Sequence, residues 1–245
     1  MSDGQQHLLL ILPNSVPMTQ PASDWGVVYK PDNVGFAIDQ RKVELDDGLL
    51  DRLGVRYIRL TWTDWTNVTR YQVLSRSYFR RLLRAARPGY GITAVAFGVV
   101  TMHICEGFPL TDEFLLATDQ SSLRVCPYDP GYATVFGFFQ NFVPDPQYGL
   151  EMLQCPRTQL VRMARLAEEK AGVTYLVGFE SEFVLLKSTT PTLEAISHGE
   201  YAASAGLRLG SVEAKVIREI ADALEDAGIE VEKFHGEASP GQVNI

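Results

Sequence analysis

The stretch that most constrains this chain is Val173–Lys187, VTYLVGFESEFVLLK. Its apolar, β-prone composition predicts a strand, and it carries Glu180 and Glu182 with only Ser181 between them. A strand sends residues i and i+2 to one face, so both carboxylates point the same way, together with Gly178 and Val184. Two like charges side by side in a largely apolar strand repel each other and lose hydration. The pair therefore calls for a cation, and hard divalent ions such as Mg²⁺ take oxygen ligands of this kind. An isolated Glu-x-Glu also occurs on the wet side of a half-buried antiparallel sheet. A third acidic group is what would turn the pair into a site.

Glu237 is such a group. It lies in the closing stretch FHGEASPGQVNI, beside Pro240-Gly241-Gln242. Alone it reads as an ordinary loop carboxylate. Taken with Glu180 and Glu182 it supplies three carboxylates from two elements, which is what an oxygen-ligated metal pair needs. Convergence of the three is a tertiary question.

The rest of the composition bounds the class. The formal charge of −8 argues against a general nucleic-acid binder, because phosphate contacts need clustered Lys and Arg. It leaves nucleotide substrates open, since acidic sites hold those through metal ions. Cys105, Cys126 and Cys155 are widely spaced, form no C-x-x-C pair, and suggest neither zinc nor a disulfide framework. No apolar run reaches a membrane span; Thr93–Cys105 comes nearest and is too short. Leu8–Leu12 lacks a basic leader and meets Pro13 at once. A soluble, cytoplasmic protein with no membrane partner is expected.

Three regions follow from texture. Residues 1–50 are a loose lead-in, with a short helix expected over Asp46–Leu53 and stopped by Gly54. Residues 51–150 form a first domain. In VRYIRLTWTD the alternation of Ile58, Leu60 and Trp62 predicts a half-buried strand, followed by a turn at Asp64–Asn67 and a second strand over Val68–Leu74. Ser75 or Ser77 caps the helix YFRRLLRAAR, whose arginines read as a solvated face; Pro88-Gly89 ends it. Thr93–Met102 and Tyr132–Phe139 are further strand candidates, and Val143–Tyr148, with two prolines, reads as a linker. Residues 151–245 form a second domain. Pro156 opens a helix with Leu160, Ala164, Ala167 and Ala171 on one face and Gly172 as its stop. Ser211 caps another, with Val212, Val216, Ile220 and Leu224 on one face; Ile229–Glu232 then starts a strand.

The motifs VRYIRLTWTD, SSLRVCPYDPGYATV, CPRTQL, GFESEF and IEVEKFHGEASPGQVNI resemble, in order and spacing, the N-terminal half of a glutamine-synthetase-family protein. The resemblance covers about Val55 to Ile245. It implies an α+β protein: a small β-grasp-like N-terminal domain over 51–150, followed over 151–245 by part of a catalytic domain with a curved antiparallel sheet and backing helices. It also implies a ligase that uses ATP to phosphorylate the side-chain carboxylate of glutamate, after which ammonia, or another amine in γ-glutamyl–amine relatives, displaces the phosphate. Two Mg²⁺ or Mn²⁺ ions serve the site, and family members assemble as homo-oligomeric rings with active sites between subunits.

By position, Glu180 resembles a ligand of the metal facing the transferred phosphate, and Glu182 and Glu237 resemble ligands of the metal on the glutamate and ammonia side. Glu232 lies where the family contacts the nucleotide; read without the resemblance it is an exposed strand residue. Asp64 resembles the catalytic acid that reaches a neighbouring subunit's ammonium site; read alone it is a turn-forming aspartate. His235 reads as a packed or backbone-bonded histidine rather than a base or ligand. Asn244 stands where the family commonly carries another metal-binding Glu. Its neutral oxygen still offers a ligand but removes one negative charge. The family's downstream metal-binding His and Glu and its substrate-gripping arginines lie beyond the matched half. The chain by itself is therefore expected not to catalyse the full reaction; a non-catalytic relative with weak metal or nucleotide binding is the competing expectation.

Overall fold

The structure is a computed structural model that describes residues 9–11, 48–108, 110–198 and 207–245. Most of the lead-in expected over 1–50 lies outside them. The described residues divide into two compact units: 9–11, 48–125 and 129–176 in one, and 126–128, 177–198 and 207–245 in the other. Among them no helix is long and apolar enough to cross a membrane, and no disulfide joins the three cysteines.

In the first unit the elements are β1 (Leu9–Ile11), α1 (Leu49–Arg52), β2 (Tyr57–Thr63), β3 (Thr69–Ser75), α2 (Arg76–Leu83), β4 (Gly89–Thr93), β5 (Val99–Val100), β6 (His103–Ile104), β7 (Glu113–Val125), β8 (Tyr132–Asp145), β9 (Gly149–Glu151), α3 (Pro156–Ala171) and β10 (Thr174–Leu176). The main sheet runs β3-β2-β8-β7-β4, with β9 paired to β8. All neighbours in it are antiparallel except β2 and β8, which run parallel at its centre with Leu60 opposite Val135. The alternation anticipated in β2 is what seats the sheet, because Ile58, Leu60 and Trp62 all face inward. They join Phe79 from α2 and Leu116, Val135 and Phe139 from the central strands. Phe97 packs on Phe139 at 3.9 Å between ring centroids. Gly89 lets β4 close on β7, since a Cβ there would sit 2.3 Å from the Leu116 carbonyl oxygen.

Ser75 caps α2 by accepting from the Tyr78 N–H. Two arginines of that helix are not merely solvated. Arg76 and Arg80 both grip Asp51 of α1, at 2.6 and 2.5 Å. Thr93–Met102 is not one strand. Ala94–Phe97 forms a 3₁₀ turn that buries Ala94 and Phe97, a spacing of three that suits 3₁₀ geometry rather than alternation. The linker expected over Val143–Tyr148 is instead the end of β8 and its hairpin to β9, with Asp145 accepting from the Gln147 and Tyr148 N–H groups. The long strand β7 had no alternating signature, because five consecutive residues, Leu115 to Asp119, are buried. In α3 the face expected to be covered is open at Leu160, and Thr158 is the buried residue.

The second unit holds β11 (Glu182–Val184), β12 (Leu186–Ser188), β13 (Glu194–Ala195), α4 (Val212–Asp226), β14 (His235–Gly236) and β15 (Gln242–Asn244). Here β12 and β13 form a hairpin, and β11-β15-β14 form a three-stranded antiparallel sheet. The single strand expected over Val173–Lys187 is therefore broken. Its start, β10, takes β1 as partner in the first unit, and its end, β11, takes β15 in the second. A strand lasts only as long as its partner does. Ile229–Glu232 is irregular rather than a strand, and pairing begins at His235. Ser211 caps α4 by accepting from the Ala214 N–H, but the buried stripe is Ile217 and Ala221, with Val212 exposed. The stripe is thus turned by one residue from the expected face.

Candidate functional site

The three-stranded sheet sets the site. Across its strands Glu182 is opposite Asn244, and Asn244 is opposite His235. Directly opposed residues share a face. The other face carries Phe183, Val243 and Gly236, and Val243 is fully buried there. Pairing continues past the formal ends. Ser181 and Ile245 exchange N–H···O bonds of 2.8 and 3.1 Å, and the Glu237 N–H donates to the Gln242 carbonyl at 2.9 Å. Alternation then brings Glu180 and Glu237 to the face of Glu182. Side-chain distances agree: His235 Nε2 is 4.0 Å from Glu180 Oε1, and His235 Nδ1 is 3.3 Å from Glu237 Oε1.

A tight turn holds the strands in this register. Gly241 has φ +70°, and a Cβ there would lie 2.6 Å from the Leu185 carbonyl oxygen. The Leu185 N–H in turn donates to the Gly241 carbonyl at 2.8 Å. The Gln242 side chain is anchored at both ends, accepting from the Ser239 N–H and donating to Glu182 Oε2, each at 3.0 Å.

Glu180 and Glu182 are exposed, Glu237 and His235 are about a fifth exposed, and Asn244 is 3% exposed. Carboxylates, a carboxamide and an imidazole are a donor set that suits a hard or borderline divalent ion, so the residues present fit such a group chemically. Among the described residues no three His, Cys, Asp or Glu side chains yet lie close enough to enclose an ion.

The other anticipated residues lie apart from this face. Glu232 is exposed in the irregular segment before β14 and makes no hydrogen bond or ion pair among the described residues. Asp64, in the first unit, organises its own turn. One carboxylate oxygen accepts from the Thr66 N–H, the Thr66 hydroxyl and the Val68 N–H at 2.8, 2.7 and 3.0 Å. The other accepts from Arg70 Nε at 2.6 Å, and the side chain is wholly inaccessible. Burial pushes the Asp64 carboxyl up, but the bonds from Thr66, Val68 and Arg70 outweigh it and hold it below the ordinary carboxylate value. These bonds make Asp64 the organiser of its own turn. His235 is the converse case. The sequence reads it as a packed or backbone-bonded histidine, and it does bond Gly236, yet it also sits between two carboxylates. The signal for it was its position two residues before Glu237, on the same face of the same extended segment.

A family model described as glutamine synthetase, catalytic domain, matches residues 153–245. A glutamine synthetase of Staphylococcus epidermidis is 37% identical over 197 residues, covering 78% of this chain and 40% of that protein. The chain belongs to the glutamine synthetase family. Within the family it is also similar to the gamma-glutamylpolyamine synthetase GlnA3 of Streptomyces coelicolor, 25% identical over 207 residues, 81% of this chain and 41% of that one. The fold is shared with the solved structure of GmaS without ligand, at a TM-score of 0.61 and 18% identity, over 81% of this chain and 43% of that one. This glutamine synthetase-family chain spans between 22% and 44% of the length of the curated relatives it matches.

Proposed function

We propose that this chain carries part of the active site of an ATP-dependent ligase that joins the γ-carboxylate of glutamate to ammonia through an acyl phosphate. The observation that carries the reading is the shared face of Glu180, Glu182 and Glu237. In this reading Glu180 serves the ion beside the transferred phosphate, Glu182, Glu237 and Asn244 serve the ion on the glutamate side, and Glu232 contacts the nucleotide. Bound Mg²⁺ or Mn²⁺ would supply the positive charge that two anionic substrates need at an acidic face. The chain's own residues supply orientation: Gly241 and Gln242 hold Glu182 in place, and His235 spaces Glu180 from Glu237. Asp64 serves in this reading as the acid at a neighbouring subunit's ammonium site. The complete protein is taken to be a cytoplasmic ring, and the 51–150 region a β-grasp-like domain, a reading supported by the parallel pair β2 and β8 flanked by a hairpin and α2.

A second reading replaces ammonia with a larger amine. It is supported by relatives named glutamate–isopropylamine ligase and gamma-glutamylpolyamine synthetase. Calorimetry of ADP and Mn²⁺ binding to the purified chain tests the site, and phosphate release by the complete protein from ATP and glutamate with ammonia, an alkylamine or a polyamine separates the two readings. Metal-dependent nucleotide binding that is lost in Glu180→Gln and Glu237→Gln is the expected result. Binding that is absent, or unchanged in both variants, sinks the proposal.

A further inference from the structure

The turn that Asp64 organises leaves an apolar surface open around a buried carboxylate. Asp64 keeps its side chain inside, accepting from Thr66, Val68 and Arg70. The side chains beside it are open: Trp65 is 53% exposed and Val68 47%. Tryptophan is highly buried on average, so a half-open indole needs a cause. This ring is not loose. Its Nε1 donates to the Gln154 carbonyl at 2.7 Å, and the Trp65 backbone N–H donates to the Phe97 carbonyl at 3.3 Å. A ring held in place with a face in solvent has already lost its rotamer freedom, which lowers the cost of contact with a ligand.

A second element extends the surface. Arg70, which holds Asp64, also donates through Nη2 to the Val99 carbonyl at 2.6 Å and so ties the turn to the β5–β6 hairpin. That hairpin turns through Thr101 and Met102 at φ +44° and +70°, and Met102 at its tip is 92% exposed. A β-branched residue resists the left-handed region, yet the hairpin adopts it and presents Met102 outward. Over residues 64–70 Asp64 is the only acid, and both of its oxygens are already bonded. What the turn offers outward is therefore apolar surface rather than a free carboxylate.

We propose that Trp65 is a specificity-determining residue that favours amines with an alkyl chain over ammonia, its indole face covering the chain. The inference rests on the ligase reading above, in which the Asp64 turn stands at a neighbouring subunit's amine site, and it gives the second form of that reading, with a larger amine, a residue that selects for it. Asp64 then supplies negative charge from within the turn, while contact with the amine falls to the side chains around it. The reacting step is the same for either amine: its nitrogen forms the γ-amide bond, phosphate leaves, and one amine proton leaves with it. Ammonium has no apolar surface and gains only a weak cation–π attraction from an indole wall. An alkyl chain gains roughly fourfold in affinity for each methylene the ring covers.

The test is phosphate release by the complete protein from ATP and glutamate, with ammonia and with n-alkylamines from methylamine to butylamine. In the parent kcat/KM is expected to rise with chain length, to about tenfold or more over ammonia. Trp65→Gln keeps an N–H donor for the Gln154 carbonyl but loses the apolar face, so the alkylamine-to-ammonia ratio of kcat/KM should fall about tenfold. Trp65→Phe keeps the face without the donor and should retain most of the ratio. A parent that turns over ammonia faster than every alkylamine overturns the inference and leaves the ligase reading standing. Equal loss of the ratio in both variants, or loss in neither, overturns the assignment of Trp65. No phosphate release with any amine overturns this inference and the ligase reading together.

Discussion

Asp64 offers the sharpest energetic test, because its two readings predict opposite outcomes. As a turn organiser it accepts four hydrogen bonds, one of them from the Arg70 guanidinium, with its own side chain fully inaccessible and that of Arg70 27% exposed. Removing one partner of a buried ion pair costs about 3–5 kcal/mol. The partial exposure of Arg70 moves the figure to the low end, and the loss of the two backbone N–H bonds adds about 1 kcal/mol each. Asp64→Ala should therefore destabilise the first unit by about 3–5 kcal/mol. Asp64→Asn keeps an acceptor for Thr66 and Val68 but sets an amide against Arg70, so about 2–3 kcal/mol is expected. Urea denaturation followed by far-ultraviolet dichroism and tryptophan fluorescence gives both values. The pH dependence adds a check. The folded-state carboxyl is held below its unfolded value, so its contribution is present above about pH 4 and is lost as pH falls through the folded value. Asp64→Asn should remove that part of the acid limb. An Asp64→Ala protein within about 0.5 kcal/mol of the parent would refute the organising role.

Two further outcomes follow from the geometry. Gly241→Ala places a Cβ 2.6 Å from the Leu185 carbonyl in a left-handed residue, so it should cost about 1–3 kcal/mol and weaken Mn²⁺ binding by shifting β15 against β11; unchanged calorimetric affinity would show that the turn does not set the face. Tyr90, whose hydroxyl donates to Gln72, is pushed up to about 12 by burial and then by neighbouring Tyr78. Its neutral form is the one the fold favours, so its contribution is present below about pH 10 and lost as pH rises toward 12; ultraviolet titration of the parent against Tyr90→Phe should show one phenol fewer in that late-titrating class.

How much could be read in advance depended on how local each cause was. The strand at Ile58–Trp62, the Ser75 and Ser211 caps, and the stop at Gly172 were legible because each depends on residues within one turn or one alternation. The motifs around Glu180, Glu182 and Glu237 pointed to the family for the same reason: their spacing is written along the chain. What the sequence could not carry was partnership. The break in Val173–Lys187 follows from β1 ending and β15 beginning, more than 230 positions apart in the chain. The burial of Leu115–Asp119 hides the period of β7, and the closed turn that holds Asp64 depends on Arg70 folding back across a hairpin. The face that joins Glu180 to Glu237 through His235 exists only once three short strands find one register. Side-chain type and spacing determined which groups were available; hydrogen-bond pairing between distant segments, which no local preference encodes, decided which of them meet.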